Sequence, residues 1–387
     1  MNPLLPRTED LLADLIGFPS VSSDSNRALI DHAAGLLDDA GADVEIIDAP
    51  CGTKANLFAT FGPMADGGIV LSGHSDVVPV TDQDWSSDPF TLRKDQGRLY
   101  GRGACDMKGF IAAVLAVAPA FGRRPLTRPL HISLTYDEET GCIGARHLVA
   151  ALKARGLTPG VAIIGEPTEM RIIEGHKGCF EYTTRFHGLP GHGSAPDHGV
   201  NAVEYAARYV GRLLALKDAL RARAPINGCF DPPWTTINVG ALHGGVAHNV
   251  IAPTAQVDWE MRPVQDGDAD FVKDHLRALV DGELLPAMRA VYADAAIDVE
   301  TIGEVAGLIP TDDNEARRIM AELTGANGAD LVAFGTEAGL FQALGTDVVV
   351  CGPGSIEQAH KADEYVSLDQ MDQCLTMLER LNARLAA

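Results

Sequence analysis

Three short apolar runs, Ile69–Leu71, His131–Thr135 and Val161–Ile164, constrain this chain more than any other feature. Each is too short for a helix and rich in β-branched residues or leucine, so each reads as a buried strand. Helical stretches at Gly109–Phe121 and Ile143–Ala154 lie between them. Strands alternating with helices predict an α/β layer on a mixed, largely parallel sheet sandwiched by helices. Each run also leads into polar residues. Gly73-His74-Ser75-Asp76 comes after the first, Asp137-Glu138-Glu139 after the second and Gly165-Glu166-Pro167-Thr168 after the third. Ligands of open α/β sheets bind beyond the carboxyl ends of the strands, so function is expected at these residues.

The pattern changes near Gly178. A strand at Cys179–Phe186 precedes a helix over about 201–220, strands at Thr235–Leu242 and Ala255–Arg262, a helix from about Ala269 and a closing strand near Ile297–Ile302. This order predicts a small α+β domain inserted into the first. After about Thr311 the alternation resumes, with a buried strand at Val348–Cys351 and an amphipathic last helix at Leu368–Leu385. The expected division is a main domain formed by 1–177 and 303–387, interrupted by an inserted domain at 178–302.

Composition removes some function classes. The chain has 387 residues, enough for two domains, and is 46% hydrophobic. With 53 acidic against 31 basic side chains its formal charge is -22, the wrong sign for a partner recognised through phosphates, so no nucleic acid is expected. No run approaches the roughly 20 apolar residues of a membrane span. The N-terminal stretch carries acidic residues and lacks the basic start and small-residue cleavage site of a signal peptide, so the expected location is cytoplasmic. The seven cysteines are irregularly spaced with no CxxC pair, which predicts reduced, packed thiols and no cysteine zinc site.

Read singly, the charged motifs have ordinary explanations. Asp106, framed by Gly101, Gly103 and Gly109 ahead of an apolar run, has the position of a helix N-cap. Asp137-Glu138-Glu139 reads as an acidic turn, and Glu166 and His360 as loop polarity. Their joint placement points elsewhere. His74, Glu139 and Glu166 come after three strands, Asp106 sits in a loop before a helix, and His360 comes after a fourth strand. Two imidazoles and three carboxylates form a mixed donor set that suits zinc, cobalt or manganese. Adjacent side chains diverge, so Glu138 is left for proton transfer beside Glu139. Asp76 shares a side with His74 and is placed to orient its imidazole.

The segments GHSDVVP, GRGACDMKG, DEETG, GEPT and GPGSIEQAHKADEY occur in this order and span nearly the whole chain. They resemble the di-zinc metallopeptidase and aminoacylase family, which includes acetylornithine deacetylase, succinyl-diaminopimelate desuccinylase and glutamate carboxypeptidases. Within it, FGTEAGLFQ with the last segment looks most like acetylornithine deacetylase. The resemblance implies two divalent metal ions, zinc first and cobalt as the alternative, bridged by Asp106. His74 and Glu166 would complete one site, Glu139 and His360 the other, with Glu138 as general base, Asp76 in support and a cis peptide after Asp106. It also implies that the inserted segment is a lid that mediates homodimerisation. His192 would stabilise the oxyanion, Asn249 would contact substrate and Arg262 would hold its carboxylate. Glu337 and the turn at Gly354 are further candidates for binding the substrate's amine and carboxylate. The implied reaction is hydrolysis of an N-acyl amino acid, N-acetyl-L-ornithine above others. Sister activities on succinyl-diaminopimelate or a dipeptide, and a metal-binding protein without catalysis, are the competing readings. Retention of Glu138 with the full donor set argues against the last. Two departures bear on substrate only: Lys361-Ala362 stands where Gln-Pro is frequent, and Gly193 where Ser or Ala is usual.

Overall fold

A computed structural model describes residues 1–386. The chain folds as two compact units, one formed by Met1–Gly175, Pro310–Val332 and Thr336–Ala387, the other by His176–Ile309 and Ala333–Gly335.

The first unit is built on an eight-stranded sheet. Its order is Asp43–Asp48, Ala55–Phe61, Leu130–Thr135, Ile69–His74, Val161–Pro167, Asp347–Gly352, Ile173–His176 and Asp330–Val332. The four strands from Leu130–Thr135 to Asp347–Gly352 are parallel, and antiparallel strands flank them. The sheet is therefore mixed and largely parallel. Ile69 is level with both Leu130 and Val161, so these strands end at one height. Their side chains are buried throughout, as expected of parallel strands covered on both faces.

The helix Lys108–Phe121 is apolar almost all round and nearly every residue is buried. A helix of that composition has to be covered on all sides. Gly165 lets it close on the sheet, because a Cβ there would lie 2.0 Å from the Phe110 ring. Phe110, Ile111, Leu71, Ile163, Leu15 and Leu378 belong to one core. Each such side chain contributes about 1.5–3 kcal/mol on burial, so the loops above rest on a rigid base. The helix Arg27–Asp39 starts after Asn26, whose side-chain amide bonds to both main-chain groups of Ala55 instead of capping. Ser25 Oγ accepts the Arg27 N–H at 3.1 Å.

The second unit is an antiparallel four-stranded sheet, ordered Thr236–Gly244, Thr254–Arg262, Cys179–His187 and Ala296–Val305. Burial alternates along Thr254–Arg262, so one face packs and the other is wetter. Helices Ala202–Ala222 and Asp268–Leu279 share a core with Phe186, Tyr209, Val257 and Met261, while Tyr182 stacks on Trp259 with ring centroids 4.5 Å apart. A two-residue ribbon pairs Gly191–His192 with Val250–Ile251.

Candidate metal centre

His74 closes the strand Ile69–His74 and is 1% exposed. Its Nδ1 lies 2.9 Å from the main-chain oxygen of Asp76. A carbonyl can only accept, so Nδ1 carries a proton and Nε2 is the nitrogen turned towards the carboxylates. Asp76 thus orients His74, but through its carbonyl; its carboxylate is 3.7 Å away. That carboxylate accepts from Ser22 Oγ at 2.7 Å and from the Glu138 and Glu139 amides at 3.1 and 3.4 Å. It therefore fixes the backbone of the two glutamates.

The Asp106 side chain does not cap the helix. The residue ahead of the helix is Met107, which makes no side-chain cap, and the Asp106–Met107 peptide is cis. Asp106 Oδ1 lies 2.9 Å from His74 Nε2, and Oδ2 lies 3.3 Å from His360 Nε2. One carboxylate thus turns one oxygen to each histidine. Glu166 Oε1 stands 3.7 Å from His74 Nε2, and Glu139 Oε2 stands 3.1 Å from His360 Nε2. Two overlapping triads, His74–Glu138–Glu166 and His74–Asp106–Glu139, have ligand atoms within 4.8 Å of one another. His360 joins the second through Asp106 and Glu139.

The electrostatics show what this cluster lacks. Burial, reinforced by Asp106, raises the Glu166 carboxyl well above the usual carboxylate range. Burial also lifts Glu138, to about 8, with Glu139 and Asp106 adding to the effect and His74 opposing it. For His74, burial acts downward but is outweighed by Glu166 and Asp106, so the imidazole is held well above its ordinary value. Hydrogen bonds to Asp106 and Glu139 push His360 up to about 10. Asp106 is driven down, because His360 and His74 outweigh its burial. Two like charges about 4 Å apart repel by roughly 4 kcal/mol even at an effective dielectric of 20. A neutral hydrogen bond contributes about 1 kcal/mol and cannot balance several such pairs. Divalent cations can. The donors are nitrogen and carboxylate oxygen, they converge, and they carry excess negative charge, so the residues present fit metal ions.

The acidic triplet is only partly a metal feature. Asp137 is bound by Lys54 Nζ at 2.6 and 2.7 Å, which leaves Glu138 and Glu139 for the cluster. Two sequence candidates take other positions. Glu337 is 1% exposed and accepts from Ser72 Oγ and from Thr135 Oγ1, both on sheet strands. Its carboxylate is committed inside the sheet and is not placed to bind a substrate amine. The Gly354 N–H donates to the Gln370 side chain and is likewise not free for a carboxylate. Gly354 has φ +102, and a Cβ there would meet Cys105 Sγ at 2.6 Å, so this turn props the Asp106 loop.

The remaining candidates lie in the second unit. His192 is exposed on the ribbon, and its Nδ1 accepts the Ser194 N–H at 3.2 Å, which leaves the proton of the neutral imidazole on Nε2. Asn249 is exposed beside it and accepts the Gly193 N–H at 2.8 Å. A Cβ at Gly193 would come within 3.0 Å of the Asn249 backbone, so glycine suits this close approach. Arg262 pairs with Glu260 at 2.7 Å. Arg102, Glu364 and Gln83, which surround the Asp106 and His360 loops, were not singled out from the sequence. Arg102 and Glu364 lie inside the conspicuous motifs, but pairing across 262 positions leaves no periodic signal.

The family model for peptidase family M20/M25/M40 matches residues 70–384. The chain belongs to this family. Among its relatives, acetylornithine deacetylase of Klebsiella pneumoniae (strain 342) is 37% identical over 373 residues, spanning 95% of this chain and 94% of the relative. Acetylornithine deacetylase of Proteus mirabilis (strain HI4320) is 37% identical over 376 residues, with the same coverage. The fold matches an M20 family metallo-carboxypeptidase from Sulfolobus solfataricus with a TM-score of 0.76 at 16% identity, covering 99% of both chains. It also matches a dinuclear metal-binding M20 peptidase of Bacillus subtilis, with a TM-score of 0.64 at 17% identity and 98% coverage of both. As a member of the M20 family this chain is a metallohydrolase resembling acetylornithine deacetylase.

Proposed function

We propose that this M20 enzyme hydrolyses the amide bond of N-acetyl-L-ornithine, giving acetate and L-ornithine, with two divalent metal ions, zinc first. The observation that carries the chemistry is Asp106 turning one oxygen to each of His74 and His360, with Glu138 alongside. His74 and Glu166 would hold one metal, Glu139 and His360 the other, and Asp106 both. Such a pair supplies Lewis acidity and lowers the pKa of a bound water towards about 7.

The chain's own groups do the rest. Glu138 takes the proton of the attacking water and returns it to the leaving nitrogen as the C–N bond breaks. Asp76 keeps that carboxylate in register by holding the Glu138 amide. His192 presents its Nε2–H to the oxyanion. Asn249 contacts the substrate, and Arg262 receives its carboxylate through a planar two-point grip. The substrate assignment is supported by the relatives at 37% identity, both acetylornithine deacetylases. We assign dimerisation to the second unit, where Leu242, Val246, Val250, Val299 and Ile302 expose apolar surface. The test is turnover of N-acetyl-L-ornithine, succinyl-diaminopimelate and a dipeptide, each with and without chelator. Fastest, chelator-sensitive deacetylation is expected. Preference for another substrate would overturn the assignment, and chelator-insensitive turnover would overturn the chemistry.

A further inference from the structure

Arg102 and Glu364 are both 1% exposed, and Arg102 Nη1 lies 2.7 Å from Glu364 Oε2. Replacing such a pair by packed apolar residues is often neutral or stabilising, so stability alone does not account for it. Its surroundings suggest another role. Glu364 Oε1 accepts the main-chain N–H groups of Cys105 at 2.9 Å and Asp106 at 3.1 Å. Arg102 Nη2 donates to Gln83 Oε1 at 2.6 Å and to the Pro79 carbonyl at 3.3 Å. Arg102 Nη1 also reaches the Lys361 carbonyl at 3.4 Å, and Gln83 Nε2 donates to the His360 carbonyl at 2.9 Å. A continuous chain of bonds thus runs from the Asp106 backbone through Glu364, Arg102 and Gln83 to the His360 backbone.

His360 needs such support. It lies in the connection between strands Asp347–Gly352 and Tyr365–Ser367, its side chain is 51% exposed, and its φ is +62. A non-glycine residue in that region persists only where its surroundings hold it. Beside it, Asp363 accepts from the Ser86 N–H at 3.1 Å and Ser86 Oγ at 2.8 Å, which fastens the segment carrying Gln83 to the His360 loop.

We propose that Glu364, Arg102 and Gln83 are positioning residues that set the Asp106–His360 spacing and so tune the second metal site. This rests on the two-metal reading above. Outer partners of metal ligands typically change affinity or activity 10- to 100-fold when removed. Gln83, half-buried and bonded to the His360 carbonyl, is the selective probe; Arg102 touches both halves.

The test is titration of metal-free protein with Co2+, monitored by its visible d–d absorption, with a thermal melt for each variant. The parent is expected to take up two equivalents. Gln83→Ala should weaken one of them about tenfold and change its spectrum, with little change in melting temperature. Arg102→Met should weaken both, since it frees the Asp106 loop as well. Parental affinities and spectra in Gln83→Ala would overturn the proposal, and that variant decides alone if Arg102→Met does not fold. Failure of the two-metal reading shows in the parent itself, as uptake of fewer than two equivalents. Failure of the positioning role shows only in the variants.

Discussion

Among the described residues, two places hold triads of His, Cys, Asp or Glu side chains whose ligand atoms lie within 4.8 Å of one another, and they are physically unlike. One is the centre around His74, Asp106, Glu138, Glu139 and Glu166. The other is Cys179, Glu181 and Glu260 in the second unit. In the latter, Arg262 lies 2.7 Å from Glu260, and Glu181 is only half-buried. Its counter-charge is already covalently present. At the centre the nearby lysine and arginine side chains are committed elsewhere: Lys54 to Asp137, Arg102 to Glu364, and Lys108 to the carbonyls of Leu15 and Phe18. Clustering alone therefore does not mark a metal site. Buried negative charge without a fixed cation does, because removing ions from water costs several kcal/mol each unless they are paired.

The largest expected effect that tests this contrast is on catalysis. Glu138→Gln should lower turnover of N-acetyl-L-ornithine by about 10²–10⁴-fold, the range for a lost general base, while metal content measured by atomic absorption stays at the parent level. Undiminished turnover would remove Glu138 from its role. Next comes Asp106→Ala. Since Asp106 faces both histidines, this variant should lose most bound metal, and full retention would refute a bridging role.

A third effect concerns pH and compares one buried histidine from each unit. Burial lowers the pKa of His131 and His176 to about 4. The unfolded chain titrates near 6.5, so between these values it binds more protons than the folded one. Stability from both groups is complete above about pH 6.5 and is lost as pH falls towards 4. Each should remove about 2 kcal/mol between pH 7 and pH 5. Urea unfolding of the parent and of His131→Gln at the two pH values checks this, and an equal pH dependence in both would contradict it. The smallest effect sharpens the comparison from its other side. Glu260→Gln breaks only a partly exposed ion pair and should change stability by under about 1 kcal/mol, with metal content unaltered. A loss of metal in that variant would mean that the second cluster binds ions after all.

The sequence carried the alternation of strands and helices, because buried parallel strands read as short apolar runs between longer helical stretches. Ile69–Leu71, His131–Thr135 and Val161–Ile164 all lie within strands of the large sheet. The sequence also showed that His74, the Asp137–Glu139 triplet and Glu166 stand at strand ends, since that depends only on the few residues directly C-terminal to each run. It did not separate Asp137 from its neighbours, because the lysine that claims it lies 83 positions away. It did not show that Asp76 orients His74 by a carbonyl rather than a carboxylate, which is a matter of about 1 Å. Glu337 was a candidate for the substrate's amine in the sequence, and only its bonds to Ser72 and Thr135 reveal it as internal. Local order and side-chain chemistry arise from neighbours along the chain, so the residues themselves determined the sheet and the donor types. Which carboxylate meets which cation depends on loops brought together across hundreds of positions. The tertiary structure alone decided that Asp106 faces two histidines, and that Arg102 and Glu364 stand behind it.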